Sequence, residues 1–494
     1  MFSITKNSAD LDLWHRMAVG KIFSQVNNVI YHDIFSYFPT KALWVDHEWL
    51  SGVVFYNIGH YLGDYGITSL KVLMMFSVIF LIYKTNKLIY PEADKQRIFY
   101  YIVTLLAVSL GLTSTLRCQA FTYLFFTLWI YILERIRRGE NRLIWIFPAT
   151  TLIWANLHAG FLAGFGLIVF YIVGETLNKK NPLKYIGILL LCLPFSFINP
   201  YGIKYWTYLI EATTMHRPYI EEWDPLRPFE STFKVIGTKI QMLLLIPALV
   251  YRAATKDKKV DWVEIITFCA TLYLSIKHYR HIIFFSIVAG VFGYKYFVQF
   301  LEFVKEKINQ KFTFSISQER LNQLYFARYI AVYGFFIGVC CIVIAGTPKT
   351  IDLEGYPVKA VEFIKTNKIE GNLLVPFNWG SYAMWKLYPQ NLVSIDGRYE
   401  ECYTNQSYLD ASAITLYHKN WKQAFEKYHH DVLLIYNNDS TDKEIKKSKD
   451  WKIIYQDKKS LVFVPSNYPD KKWILPPKDN DFYIKTKYEN NIKF

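Results

Sequence analysis

FTYLFFTLWIYIL, residues 121–133, carries no charged side chain across thirteen positions. A bilayer core about 30 Å thick needs about 20 mostly apolar residues per crossing helix, so alone this run also fits a buried helix of a soluble domain. Its neighbours decide between the two. Apolar stretches near 66–83, 98–114, 119–134, 143–157, 160–176, 185–198, 238–253, 261–277, 282–300 and 329–346 follow one another at short intervals. About ten in series predict an α-helical polytopic membrane domain. A composition of 52% apolar and 18% aromatic residues over 494 positions agrees with lipid as the main solvent.

The formal charge is +15, a balance that in a soluble chain would raise nucleic acid as a partner. Here the basic residues fall mainly between apolar stretches. Connections 84–97, 134–142, 177–184, 252–259 and 301–328 hold twenty Lys and Arg, and the alternate connections with Lys277 hold seven. By the positive-inside rule the first set is cytoplasmic and both chain ends lie outside, so the charge reports topology and no nucleic acid is expected. An N-terminus outside the membrane must be carried across it. Residues 1–50 contain no signal segment, so one more span is expected upstream of Met1.

Four segments are expected. Residues 1–65 form a first extracytoplasmic loop with amphipathic helices, including Trp49 to Tyr61 lying in the interface. Residues 66–346 form the transmembrane domain. Residues 347–465 form a small extracytoplasmic α/β domain, with β-rich runs at 372–375, 392–395, 432–436, 451–455 and 461–464 between helical patterns at 357–367 and 411–428. Residues 466–494 are a basic polar tail expected at the surface or loosely ordered. Among six cysteines, Cys118 and Cys402 fall on the outer side, and no CxxC pair suggests a metal site.

Polar clusters that are costly near a membrane are expected on one side only, the outer one. They are Asp10-Leu-Asp12 with His15-Arg16, Asp46-His47-Glu48, Arg117-Cys-Gln119, Asn156-Leu-His158, Asn199-Pro-Tyr-Gly202, Glu221-Glu222-Trp223-Asp224 and Lys277-His278-Tyr-Arg280-His281. Each alone can snorkel to water, but several on one leaflet can line one cavity. Carboxylates Asp10, Asp12 and Glu48 are candidate general bases, since an apolar wall raises a carboxylate's basicity. Arg117, Arg280 and Lys277 can hold a phosphate, whose oxygens match guanidinium forks and which gains charge on leaving. His47, His158, His278 and His281 can bind phosphate or a divalent metal, although no HExxH spacing is present and the metal is left unknown. Plainer readings stand beside these. Asp10-Leu-Asp12 fits a helix cap before Leu13 to Phe23, Trp14, Trp44, Trp49 and Trp223 fit an interfacial belt, and Trp379-Gly-Ser-Tyr382 and Asp396-Gly-Arg398 fit turns after strands.

In order along the chain, Asp10-Leu-Asp12-Leu-Trp14-His15, His32-Asp33-Ile-Phe35-Ser36, His47-Glu48-Trp49-Leu50, Arg117-Cys-Gln119, Asn156-Leu-His158, Asn199-Pro-Tyr-Gly202, Glu222-Trp223, Arg280, Trp379-Gly-Ser-Tyr382 and Asp396-Gly-Arg398 resemble a group of bacterial polytopic membrane proteins. That group is similar to the C superfamily of membrane-embedded glycosyltransferases. The resemblance implies transfer of a sugar from a polyprenyl-phosphate carrier, at the outer face of the bacterial inner membrane, to a glycan, lipid or protein acceptor of the cell envelope. It implies Asp12 or Asp10 as base with Glu48 assisting, and Arg117 and Arg280 on the carrier phosphate. Glu222, Trp223 and the C-terminal domain, with Trp379, Asp396 and Arg398 as candidates, would shape the acceptor side. Membrane lipids are the remaining partner.

Two other functions fit the same composition. A transporter, flippase or export component would bind an anionic glycolipid without reaction, and charged residues inside both halves of the membrane would mark it. A scaffold would only present its C-terminal domain to an envelope partner. A one-sided cavity favours chemistry.

Overall fold

The computed structural model describes residues 8–91, 96–112, 115–215, 221–227, 233–255, 260–311, seven positions between 319 and 334, 351–416, 418–438 and 443–476. Two compact units emerge. One holds residues 1–7, 69–202 and 209–348, and the other 8–68, 203–208 and 349–494.

The helices, in chain order, are α1 (Leu11–Val26), α2 (Trp49–Ile89), α3 (Gln96–Leu112), α4 (Gln119–Arg137), α5 (Ile146–Leu157), α6 (Phe161–Leu177), α7 (Leu183–Ser196), α8 (Ile203–Thr214), α9 (Phe233–Ala254), α10 (Trp262–Lys277) and α11 (Ile282–Lys311). Nine of the ten apolar stretches coincide with helices, and the tenth, 329–346, lies outside the described residues. By length and composition, three helices among the described residues can cross a membrane: Trp49–Ile89, Val235–Ala254 and Tyr279–Ile308. The 12 residues of α5 rise only about 18 Å, well short of a hydrocarbon core. Within α2 the backbone leaves helical geometry at Gly63, with φ 59 and ψ −154. A side chain would oppose that conformation, so glycine separates the stretch that sequence reads as interfacial from the apolar stretch after it.

The first unit also holds a buried polar network that the sequence reading did not single out. Where the basic connections join the helices, Arg137 of α4 pairs with Glu134 at 3.0 Å, Glu175 of α6 at 2.6 Å and Asp261 at 2.8 Å. Arg138 and the Tyr171 hydroxyl complete the contacts of Glu134, at 2.7 and 2.8 Å. On α10, Glu264 accepts from Tyr296 at 2.6 Å and from Tyr90 at 3.2 Å. These groups answer one another, which is how buried charge is retained at tolerable cost.

The second unit joins the two ends of the described chain. Its C-terminal part has helices α12 (Val358–Thr366), α13 (Phe377–Leu387), α14 (Tyr399–Cys402), α15 (Asn405–Leu416), α16 (Trp421–Glu426) and α17 (Lys443–Lys447). Strands β1 (Gly371–Leu374), β2 (Asn391–Val393), β3 (Val432–Tyr436), β4 (Trp451–Gln456) and β5 (Ser460–Pro465) form one sheet in the order β2-β1-β3-β5-β4. The β1 pairings with β2 and β3 are parallel, and those of β5 with β3 and β4 antiparallel. All five runs expected as strands are strands. The helix expected over 411–428 is instead two, α15 and α16, and the His418 amide turns back to the Ala413 carbonyl between them. Tail residues near 471–474 lie at the surface and are tied to α12: Asn367 at its end accepts the Ile474 amide at 2.9 Å and donates to its carbonyl at 2.8 Å.

The N-terminal segment is built into this sheet. Val393 donates to the Phe35 carbonyl at 2.9 Å and accepts from the Tyr37 amide at 3.2 Å, so residues 35–37 extend the β2 edge. Beneath the contact lies Arg398, wholly buried, paired with Asp396 and Asp33 and donating to Ser36 at 3.1 Å. Its guanidinium lies 4.7 Å from the Trp44 ring centre and 5.1 Å from that of Phe35. Burial alone would raise the Asp396 carboxyl, but Arg398 and the Tyr403 hydroxyl hold it down at about 2. Asp396-Gly397-Arg398 is thus more than a turn.

Arg398→Met should leave Asp33 and Asp396 buried without a cation, a loss of about 3–5 kcal/mol by the usual cost of orphaning such a charge. Thermal unfolding of the full chain in detergent checks this. A melting temperature equal to wild type would contradict the assignment of Arg398 as a structural centre.

Candidate functional site

The acidic candidates lie on α1 and at the start of α2. Asp10 caps α1, its carboxylate accepting the Asp12 amide at 3.1 Å, so the helix-cap reading holds for this residue. Asp12 is half-buried in the first turn. Arg16, four residues on, lies on the same face about 6 Å further along the axis. Crossing of α1 and α2 is unusually close: a Cβ on Gly20 would meet the Gly52 carbonyl oxygen at 2.1 Å, and one on Gly52 the Arg16 oxygen at 2.6 Å. That approach sets Glu48, next to the first residue of α2, against the Arg16 guanidinium.

Arg16 gathers three carboxylates. Nη1 pairs with Asp46, Nε lies 2.8 Å from Glu48 Oε2, and Nη2 lies 2.6 Å from Glu401 Oε1. His47 bridges two of them, Nε2 standing 3.4 Å from Glu48 Oε1 and Nδ1 3.4 Å from Glu401 Oε1. The His47 ring also faces Tyr208 of α8, with centres 5.1 Å apart. Three carboxylates outnumber one guanidinium, and the cluster draws in protons. Burial opposes a charged His47, yet Glu401 and Glu48 push its pKa up to about 9. Burial also raises Glu401, with Glu48 and Asp46 adding to the rise against Arg16 and His47. Among the described residues, His47, Glu48 and Glu401 form the group able to hold a cation together, their ligand atoms lying within 4.8 Å of one another. A divalent ion there would have to displace the His47 proton.

The cationic candidates gather in the other unit. Arg117 pairs with Glu222. Arg280 lies over the Trp223 ring, 4.5 Å from its centre, and the Trp223 carbonyl meets His278 Nδ1. Backbone bonds hold this loop to the end of α10, Leu226 donating to Ile276 at 2.9 Å and Tyr279 to Asp224 at 3.0 Å. Lys277 is exposed in the last turn of α10. His158 has a local role, its Nδ1 accepting the Gly160 amide at 2.8 Å and meeting the Thr122 hydroxyl at 2.8 Å.

Glu48 and His47 therefore come together, as do Arg117, Glu222, Trp223, Arg280 and His278. Trp379, Asp396 and Arg398 lie in the interior of the second unit, the Trp379 indole donating to the Gly355 carbonyl at 3.0 Å. Trp14 and Trp44 are buried too, which removes both from an interfacial belt. Sequence reasoning missed Glu401. One signal was present: it follows the turn at the carboxyl end of parallel strand β2, where α/β sheets concentrate function.

No protein-family model matches the sequence, and no curated protein matches it. Solved structures do resemble the chain. An archaeal oligosaccharyltransferase, AglB from Archaeoglobus fulgidus, in complex with an inhibitory peptide and a dolichol-phosphate, matches at TM-score 0.56 and 10% identity over 87% of this chain and 66% of its own. An Archaeoglobus fulgidus oligosaccharyltransferase tethered to an acceptor peptide containing the NVT sequon matches at 0.53 and 10%, over 87% and 65%. ArnT from Cupriavidus metallidurans, bound to undecaprenyl phosphate, matches at 0.47 and 12%, over 95% and 97%. The chain spans just under two thirds of the length of the two oligosaccharyltransferases. At these identities the likeness is one of fold, shared with the two archaeal oligosaccharyltransferases.

His47 makes a pH signature. Its folded pKa, about 9, lies above the unfolded value of about 6.5, so its ion pairs stabilise fully below pH 6.5 and that contribution is lost as pH rises through 9. The melting temperature of the full chain should fall between pH 7 and 9.5, and His47→Gln should flatten that fall. Equal slopes in the two proteins would contradict the protonated histidine.

Proposed function

We propose that this chain is a membrane-embedded glycosyltransferase that takes a sugar from a polyprenyl-phosphate carrier and passes it to an acceptor at the outer face of a bacterial inner membrane. The observation that carries the reading is the buried cluster of Arg16, Asp46, His47, Glu48 and Glu401 on a fold similar to that of two archaeal oligosaccharyltransferases. Soluble-protein economy disfavours so many buried ionisable groups, and perturbed acids and bases concentrate where chemistry is done. In this reading the apolar stretches form about ten spans, and the N-terminal segment and C-terminal domain lie outside. The two oligosaccharyltransferase structures, one holding dolichol-phosphate, support a lipid-linked donor.

The chemistry assigned is an inverting displacement. A carboxylate, Asp12 with Glu48 assisting, takes the proton of an acceptor hydroxyl or amide. The freed lone pair forms a bond to the anomeric carbon as the bond from that carbon to the carrier phosphate oxygen breaks. Electrons of the broken bond go to the leaving phosphate, whose added charge Arg280 and Arg117 meet. Asp10, occupied in capping α1, serves the base by fixing the first turn that carries Asp12.

Purified protein offered a panel of polyprenyl-phosphate sugars tests this directly. Asp12→Asn should lower transfer by about 10²- to 10⁴-fold with folding and donor binding kept, and Arg280→Ala should weaken donor binding about tenfold or more. Full transfer by Asp12→Asn removes it as the base, and unchanged donor affinity in Arg280→Ala removes it from the phosphate. Binding of the glycolipid without transfer by wild type would instead favour transport.

A further inference from the structure

Exposure grades the acidic cluster into a floor and a rim. The side chains of Arg16 and Asp46 are 2% and 1% exposed, whereas Glu48, Glu401 and His47 reach 9, 12 and 13%. Each edge of the guanidinium meets a carboxylate from a different position. Asp46 takes Nη1, Glu401 takes Nη2 at 2.6 Å, and Glu48 is left the Nε edge at 2.8 Å. His47 stands 3.4 Å from both glutamates and fixes the other side of the Glu48 carboxylate.

We propose that Glu401 is a positioning residue for Glu48, so that the C-terminal domain completes the transfer site begun by the N-terminal segment. The inference rests on the glycosyltransferase reading above. By occupying Nη2, Glu401 prevents Arg16 from turning its fork onto both oxygens of Glu48, the geometry guanidinium and carboxylate prefer when nothing competes. Without that competition the Glu48 carboxylate turns from the rim to the floor, away from an acceptor.

Charge compensation alone does not call for Glu401. Asp46 and Glu48 already balance Arg16 and the protonated His47, and burying a third carboxylate carries a desolvation cost that a purely structural design avoids. Moreover, Glu401 Oε2 and Asp46 Oδ2 are buried with no hydrogen-bond partner among the described residues. The position of Glu401 is itself fixed, because it lies in α14, where its amide donates to the Arg398 carbonyl at 3.0 Å and Arg398 is locked to the sheet edge.

The full chain is assayed with a lipid-phosphate sugar that wild type transfers. Glu401→Gln should lower kcat about tenfold to a hundredfold, as displacement of a reacting group by an ångström does, while the donor KM stays within about twofold of wild type. Glu401→Asp should recover part of kcat, and both variants should melt close to wild type. Wild-type kcat in Glu401→Gln overturns the proposal, and so does a loss shared between kcat and donor KM or one that Glu401→Asp does not relieve at an unchanged melting temperature. A wild-type protein inert with every donor is a different result, for it overturns the glycosyltransferase reading and this inference with it.

Discussion

The second unit depends on the burial of one guanidinium. Arg398 has no solvent contact, so its charge is bearable only because Asp396, Asp33 and the Ser36 hydroxyl surround it in the plane and aromatic rings cover its faces. Asp396 belongs to the turn after β2, and Asp33 and Ser36 to the N-terminal segment. Satisfying one side chain therefore requires both ends of the described chain to meet, and the short strand contact at Phe35–Tyr37 follows from that meeting.

The Arg16 cluster repeats the logic in a less balanced form. Here too a buried guanidinium draws carboxylates from separated segments, but it receives three, with His47 protonated among them. Arg398 is a closed account of charge in which each group is answered. Around Arg16 the carboxylates outnumber the guanidinium, and on the proposed reading this cluster is where substrate protons are handled.

Much of this was legible in the sequence. Apolar runs show as composition, and strands such as Val432–Tyr436 show as β-branched and aromatic residues between turn signals, both local properties. The break at Gly63 could be read from the change of pattern between Tyr61 and Gly66. Asp396-Gly397-Arg398 was legible as a turn and illegible as a core, because what makes it a core lies 365 residues away at Asp33. Glu401 was hidden for the same reason, its partner Arg16 being 385 residues distant. Local pattern specifies elements, whereas the partner of a buried charge is chosen by tertiary proximity. The network around Arg137 escaped notice because its members look like ordinary residues at helix ends, and only their convergence across α4, α6 and α10 marks them as buried.

Cooperative opening is the most direct test of whether the N-terminal segment and the C-terminal sheet form one body. Native-state hydrogen exchange on the full chain in detergent should give α1, β1 and β3 the same free energy of opening, since α1 is tied through Arg16 to Glu401, and Glu401 through Arg398 to the edge of the sheet that holds both strands. Exchange of α1 at much lower free energy than β3 would contradict this account, leaving the segment a peripheral loop and the acidic cluster without its support.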